Sequence, residues 1–174
     1  MVDKLAVLYG VPVHVTPVGF KFVGAAMIEN DAIAAGEESG GYAFRGNIPE
    51  RDGILSGLLF LDLMVKTGKY PSELVRYLHE RIGEHAYGRI DVALSDNQRM
   101  VDPTHLVSHR PDSLGGLLVD AVDRTDGVRY LLDGGFWGLI RPSGTEPLTR
   151  FYAEGDTPER VDRILKELQT LAGI

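Results

Sequence analysis

"GVRYLLDGGFWGLIRPSGTEPLTRFYAEG", residues 127–155, carries the pattern that decides the fold. Two apolar runs flank Asp133-Gly134-Gly135, a strong hairpin signal because such residues accept the positive φ of a tight turn. The second run ends at Arg141 and enters a loop of Ser143, Gly144 and Thr145 between Pro142 and Pro147. "LTRFYAEG" then returns as another strand, carrying Arg150. The loop holds more hydrogen-bond donors than a turn requires.

Working outward, the C-terminal segment is the best helix in the chain. Thr157 caps it, Pro158 takes the first turn, and Val161, Ile164, Leu165, Leu168 and Leu171 form one apolar stripe. Before the hairpin, "GRIDVALS" alternates as a strand, and Asp112 or Ser113 is read as opening a helix through "LGGLLVDAVDR". Strands followed by helices in this order imply a small α+β domain with a largely antiparallel sheet.

The first part of the chain alternates helix and strand, as in an α/β layer. "MVDKLAVLYG" reads as a short helix ending at Gly10, "VPVHVT" as a strand, and "VGFKFVGAAMIEND" as a helix with Phe20, Val23, Met27 and Ile28 at helical spacing. "AIAAGEESGG" is a strand running into a glycine-rich loop. Asp52 caps an apolar segment running to about Lys66, read as a buried helix. "SELVRYLHERIG" follows, with Leu74, Val75, Leu78 and Ile82 on one face. The expected boundary lies at "EHAYG", dividing residues 1–85 from residues 86–174.

Composition narrows the function. A net charge of −7 argues against general nucleic-acid binding, which leaves a basic footprint. With no Cys there is neither a disulfide framework nor a thiolate metal site, as suits a cytoplasmic protein. The apolar run "ILSGLLFLDLMV" is shorter than the about 20 residues of a bilayer span and contains Asp62, so no membrane partner is expected.

Two loops carry candidate chemistry. Around "RPSGTEP", Arg141 offers paired planar donors, Ser143 and Thr145 offer hydroxyls, and Gly144 lets backbone N–H groups turn inward. Arg150 returns beside them. A phosphate site and a proline-braced turn with solvated polar residues both fit that inventory. In "GEESGG", Glu37 and Ser39 share one side of an extended segment, which suits sugar hydroxyls, while Gly40 and Gly41 permit close approach. A Gly-Glu-Glu-Ser turn at a strand end is more often an ordinary solvated loop. "VSHRP" is read as a coincidental serine loop, and His105 and His109 as polar loop histidines, because Pro111 disfavours a continuing helix. Asp120, Asp123 and Asp126 are read as a solvated helix face.

"TPVGFK", "AGEESGG" and "RPSGTEP", in that order, closely resemble the C-terminal half of the α-D-phosphohexomutases, the phosphoglucomutase/phosphomannomutase family. The resemblance covers nearly the whole chain. It implies a truncated third α/β domain followed by a TATA-binding-protein-like fourth domain. By the same resemblance Glu37, Ser39, Gly40 and Lys21 bind the sugar, and Arg141, Ser143, Gly144, Thr145 and Arg150 hold the phosphate that is not reacting.

The family's chemistry moves a phosphoryl group from a phosphoserine to the sugar and back, through a glucose 1,6-bisphosphate-type intermediate, with Mg²⁺. Its Thr-Ala-Ser-His-Asn-Pro and Asp-Gly-Asp-x-Asp-Arg loops are not in this chain; the Asp-Gly pairs at Asp52, Asp126 and Asp133 lack the further aspartates. Without them there is no group to transfer. The resemblance therefore implies an inactive fragment whose partners are a sugar phosphate and the missing N-terminal domains, with glucose as the sugar. The alternative is a free-standing, non-catalytic sugar-phosphate-binding module.

Overall fold

A computed structural model describes residues 1–93, 103–143 and 146–174. The chain forms two compact units, one of Met1–Val11 with Ile82–Ile174 and the other of Pro12–Arg81. Helix α1 (Val2–Tyr9) thus groups with the C-terminal residues and ends at Gly10 in the left-handed conformation, φ 65°.

Within Pro12–Arg81, α2 (Phe20–Glu29) packs Phe20 and Met27 against Ala43 on a two-stranded antiparallel sheet. Its strands are β1 (Ala34–Gly36) and β2 (Tyr42–Phe44), and β2 adds to the single strand expected there. "VPVHVT" is not a strand. No described strand pairs with it, Pro12 and Pro17 carry no N–H to donate, and Val11, Val13 and Val15 are exposed. On α2, Ile28 of the expected stripe is exposed as well.

Helix α3 (Gly53–Thr67) is capped as expected, with the Asp52 carboxylate accepting from the Leu55 N–H at 2.8 Å. The expectation of burial fails: none of its residues is buried. A helix apolar on all sides needs covering on all sides, and nothing described covers it. Among the described residues no helix is long and apolar enough to cross a membrane. Helix α4 (Pro71–Ile82) buries Leu74 and Ile82, leaving Val75 exposed.

The C-terminal unit is built on a six-stranded, wholly antiparallel sheet in the order β3-β8-β7-β6-β5-β4. The strands are β3 (Ala86–Ala93), β4 (Ser113–Leu114), β5 (Leu117–Asp123), β6 (Val128–Leu132), β7 (Phe136–Pro142) and β8 (Leu148–Gly155). A short helix α5 (Pro103–Ser108) precedes β4, and α6 (Pro158–Ala172) closes the unit. This is the expected α/β region followed by a small α+β domain with an antiparallel sheet.

Residues 113–123 correct the sequence reading, because they form the β4–β5 hairpin and not a helix. Gly115 and Gly116 take φ 60° and 79°, which makes a two-residue turn and breaks any helix. A Cβ at Gly115 would lie 2.5 Å from Ile164 Cγ1, so the turn also sits tightly under α6. Asp120 and Asp123 therefore lie on a strand, with a register shift between Val119 and Ala121 exposing Asp120.

Helix α6 lays Val161, Ile164, Leu165 and Leu168 on one sheet face, against Val128, Tyr130, Ile140, Phe151 and Ala153. Each such large side chain contributes about 1.5–3 kcal/mol on leaving water. Gly88 and Gly138 let the helix approach: a Cβ at Gly88 would lie 2.7 Å from Val161 Cγ1. Tyr130 is fully buried yet satisfied, its hydroxyl donating to the Leu106 carbonyl at 3.0 Å, and burial pushes its pKa up to about 12.

Candidate functional site

The loop around Ser143 springs from the paired ends of β7 and β8. Arg141 stands opposite Arg150 and Pro142 opposite Thr149, so strand register alone sets two guanidinium stems side by side at the loop mouth. Ser143 N–H donates to the Leu148 carbonyl at 2.9 Å and closes the loop. The Ser143 hydroxyl is buried and accepts from the Glu146 N–H at 3.3 Å, which braces the turn. Gly144 and Thr145 lie outside the described residues.

Both arginines already have carboxylate neighbours. Arg141 Nε donates to Asp126 Oδ2 at 3.1 Å, while Arg150 lies 3.6 Å from Asp91 through Nε and 3.4 Å from Glu146 through a terminal nitrogen. Asp91 also accepts two hydrogen bonds from Arg89, at 2.7 and 2.8 Å, and these first of all hold its carboxyl below the usual range. The sequence reading placed Asp126 on a solvated helix face, but it lies in the β5–β6 turn and pairs with Arg141; Asp91 and Glu146 it did not single out. The hairpin register could have found Asp126: Val128 pairs with Ile140, so the next step back sets Gly127 opposite Arg141.

The second loop, residues 37–41, joins β1 to β2. Glu37 N–H donates to the Gly41 carbonyl and Gly40 N–H to the Glu37 carbonyl, both at 3.0 Å, with Gly40 at φ 94°. Glu37 turns one carboxylate oxygen onto the N–H of Gly19, 3.0 Å away, at the start of α2. That bond draws "TPVGFK" against "GEESGG". Arg51, which the sequence reading did not single out, stands 3.9 Å from the other Glu37 oxygen and 5.3 Å from the Phe20 ring centre. Ser39 and Gly40 are exposed, as is Lys21, whose Nζ lies 4.7 Å from the Phe22 ring centre.

The remaining candidates sit elsewhere. His105 lies within α5, a helix the sequence reading had as loop, and its ring stacks on His109 at 4.0 Å. Ser108 Oγ lies 3.0 Å from the Thr104 and His105 carbonyls, engaged with its own helix. Among the described residues no three His, Asp or Glu side chains gather as a metal site.

One unit is an antiparallel sheet ending in a two-arginine loop, and the other ties two glycine-containing segments together through Glu37 and Gly19. The chain belongs to the phosphoglucomutase/phosphomannomutase family: residues 1–82 match its alpha/beta/alpha domain III and residues 96–171 its C-terminal domain. It is 29% identical over 170 residues to a phosphoglucomutase/phosphomannomutase of Thermococcus kodakarensis, covering 95% of this chain and 34% of that protein. It is 34% identical over 159 residues to a phosphoglucosamine mutase of Pelotomaculum thermopropionicum, covering 91% of this chain and 32% of that one. The crystal structure of a putative phosphomannomutase from Thermus thermophilus superposes with a TM-score of 0.77 at 34% identity, covering 99% of this chain and 34% of that chain. The chain thus spans about a third of the length of the relatives it matches.

Proposed function

We propose that this chain is the substrate-recognition part of a phosphohexomutase that interconverts hexose 1-phosphate and hexose 6-phosphate, with glucose as the sugar. The observation that carries this reading is the cross-strand pair Arg141–Arg150 at the mouth of the Ser143 loop. Two guanidiniums there neutralise the phosphate that is not reacting, with Gly144 and Thr145 completing the cradle. The incoming phosphate replaces Glu146 on Arg150, an exposed pair at 3.4 Å that resists little. Ser39, Gly40, Lys21 and the Glu37 oxygen not bonded to Gly19 meet the ring hydroxyls. On this reading residues 1–85 handle the sugar, residues 86–174 handle the phosphate, and the protein is cytoplasmic.

Mg²⁺ supports phosphoryl transfer in the family, and this chain's described residues do not fit it, since no three His, Asp or Glu side chains among them gather to hold it. The transfer itself is left to residues outside this chain, so the chain alone turns over no hexose phosphate. Titration with glucose 1-phosphate, followed by amide NMR with inorganic phosphate as control, tests the reading. Both ligands should shift Ser143, and only the sugar phosphate should shift Glu37 and Ser39. Arg141→Ala should weaken phosphate binding by about 1.5–3 kcal/mol, the range for a hydrogen bond to a charged group. Unchanged affinity removes Arg141 from the site. Since one relative is a phosphoglucosamine mutase, glucosamine 6-phosphate serves as competitor, and tighter binding than glucose 6-phosphate overturns the choice of sugar.

A further inference from the structure

The Asp126–Gly127 turn between β5 and β6 does more than reverse the chain. Gly127 has φ 82°, and a Cβ there would lie 2.5 Å from the Ile140 carbonyl and 3.1 Å from Arg141 Cα. Only glycine lets the turn press so closely on the end of β7. The neighbouring Asp126 then reaches Arg141 Nε at 3.1 Å, and both side chains are largely shielded, at 20% and 29% exposure for Arg141 and Asp126. In the sheet order β8-β7-β6, the carboxylate approaches Arg141 from the β6 side, while Arg150 lies on the opposite, β8 side. A guanidinium is a rigid planar fork, so fixing Nε fixes the plane and the aim of both terminal nitrogens.

We infer that Asp126 is a positioning residue of the anion site, holding Arg141 by Nε so that its terminal donors are set for a phosphate before it arrives. This rests on the phosphate-site reading above. The opposing possibility is physical as well: Asp126 could be a competing anion, whose charge repels phosphate and whose removal would strengthen binding. The two predict opposite signs. If positioning wins, Asp126→Asn frees a long side chain that the phosphate must then order, weakening inorganic phosphate binding about two- to tenfold.

The experiment uses the 174-residue chain and inorganic phosphate, reading the Arg141 Nε–H resonance and the Ser143 amide. In the unsubstituted chain the Arg141 Nε–H signal should be visible without phosphate and should persist at saturation, because Asp126 keeps its bond while the terminal nitrogens take the ligand. Asp126→Asn should broaden that signal and weaken binding in a folded sample. Asp123→Asn is the control: it removes a still closer ion pair on the same hairpin, Asp123 to Arg129 at 2.6 Å, and should leave phosphate affinity unchanged. Unchanged or tighter binding in Asp126→Asn, or loss of the Nε–H signal from the unsubstituted chain on phosphate addition, overturns the positioning role alone. Should Asp126→Asn not fold, that second readout still decides. Failure of the unsubstituted chain to bind phosphate at all overturns the anion site and this role together.

Discussion

Helices α3 and α6 have the same length and opposite fates. The first, "GILSGLLFLDLMVKT", is by far the more apolar, yet buries none of its residues. The second, "PERVDRILKELQTLA", is half charged or polar, yet buries Val161, Ile164, Leu165 and Leu168. The difference lies in what each is given to pack against. A narrow stripe on α6 meets a six-stranded sheet with glycines placed to admit it, whereas the two strands of the Pro12–Arg81 unit offer α3 little surface. Apolar content therefore measures how much a helix can bury, and a complementary face decides how much it does.

The largest test of that contrast is Ile164→Ala. Truncating a fully buried side chain between α6 and the sheet should cost about 2–5 kcal/mol. Trp137, the only tryptophan, lies on β7 and makes urea unfolding followed by fluorescence a reporter of the C-terminal unit. A loss under about 1 kcal/mol would mean the helix is held less by its stripe than the packing implies.

The two N-caps sharpen the comparison, since Thr157 and Asp52 do the same local work, accepting from Arg160 N–H at 3.2 Å and Leu55 N–H at 2.8 Å. Thr157→Ala should lower the Trp137-reported stability by about 1 kcal/mol. Asp52→Ala should leave that transition in place and reduce only the helicity lost before it. Equal effects on the Trp137 transition would show that the two units unfold as one.

A smaller effect comes from pH. The His85 ring is enclosed beside Phe136, and burial pushes its pKa below the usual 6.5, with Lys4 and the Met1 amine acting the same way and the Gly83 carbonyl and Glu154 opposing. The unfolded chain therefore takes up the proton first. Stability is fully present above about pH 6.5 and is lost as pH falls below it. The Trp137 unfolding midpoint should drop between pH 7.5 and 5.5, by less in His85→Gln than in the unsubstituted chain. Equal drops would clear His85 of the effect.

Smallest of all is Leu58→Ser on α3, expected to shift stability by no more than about 0.5 kcal/mol while reducing binding of a hydrophobic dye. A large loss would mean that α3 is covered after all.

Much was legible because its signals are local. The α6 stripe, both caps, the Asp133-Gly134-Gly135 hairpin and the two motif loops each depend on residues a few positions apart. The sequence by itself also determined that Arg141 and Arg150 flank one loop, since strands joined by so short a connection pair next to each other. Residues 113–123 misled because an apolar run with glycines fits a helix and a hairpin alike until the sheet claims it. Only the tertiary structure decided which apolar helix is buried. It alone decided that Glu37 grips Gly19 and that Asp126 grips Arg141, partners 18 and 15 residues apart in the chain. Such contacts depend on strand register and on the close approach of backbones, neither of which any short window of sequence contains.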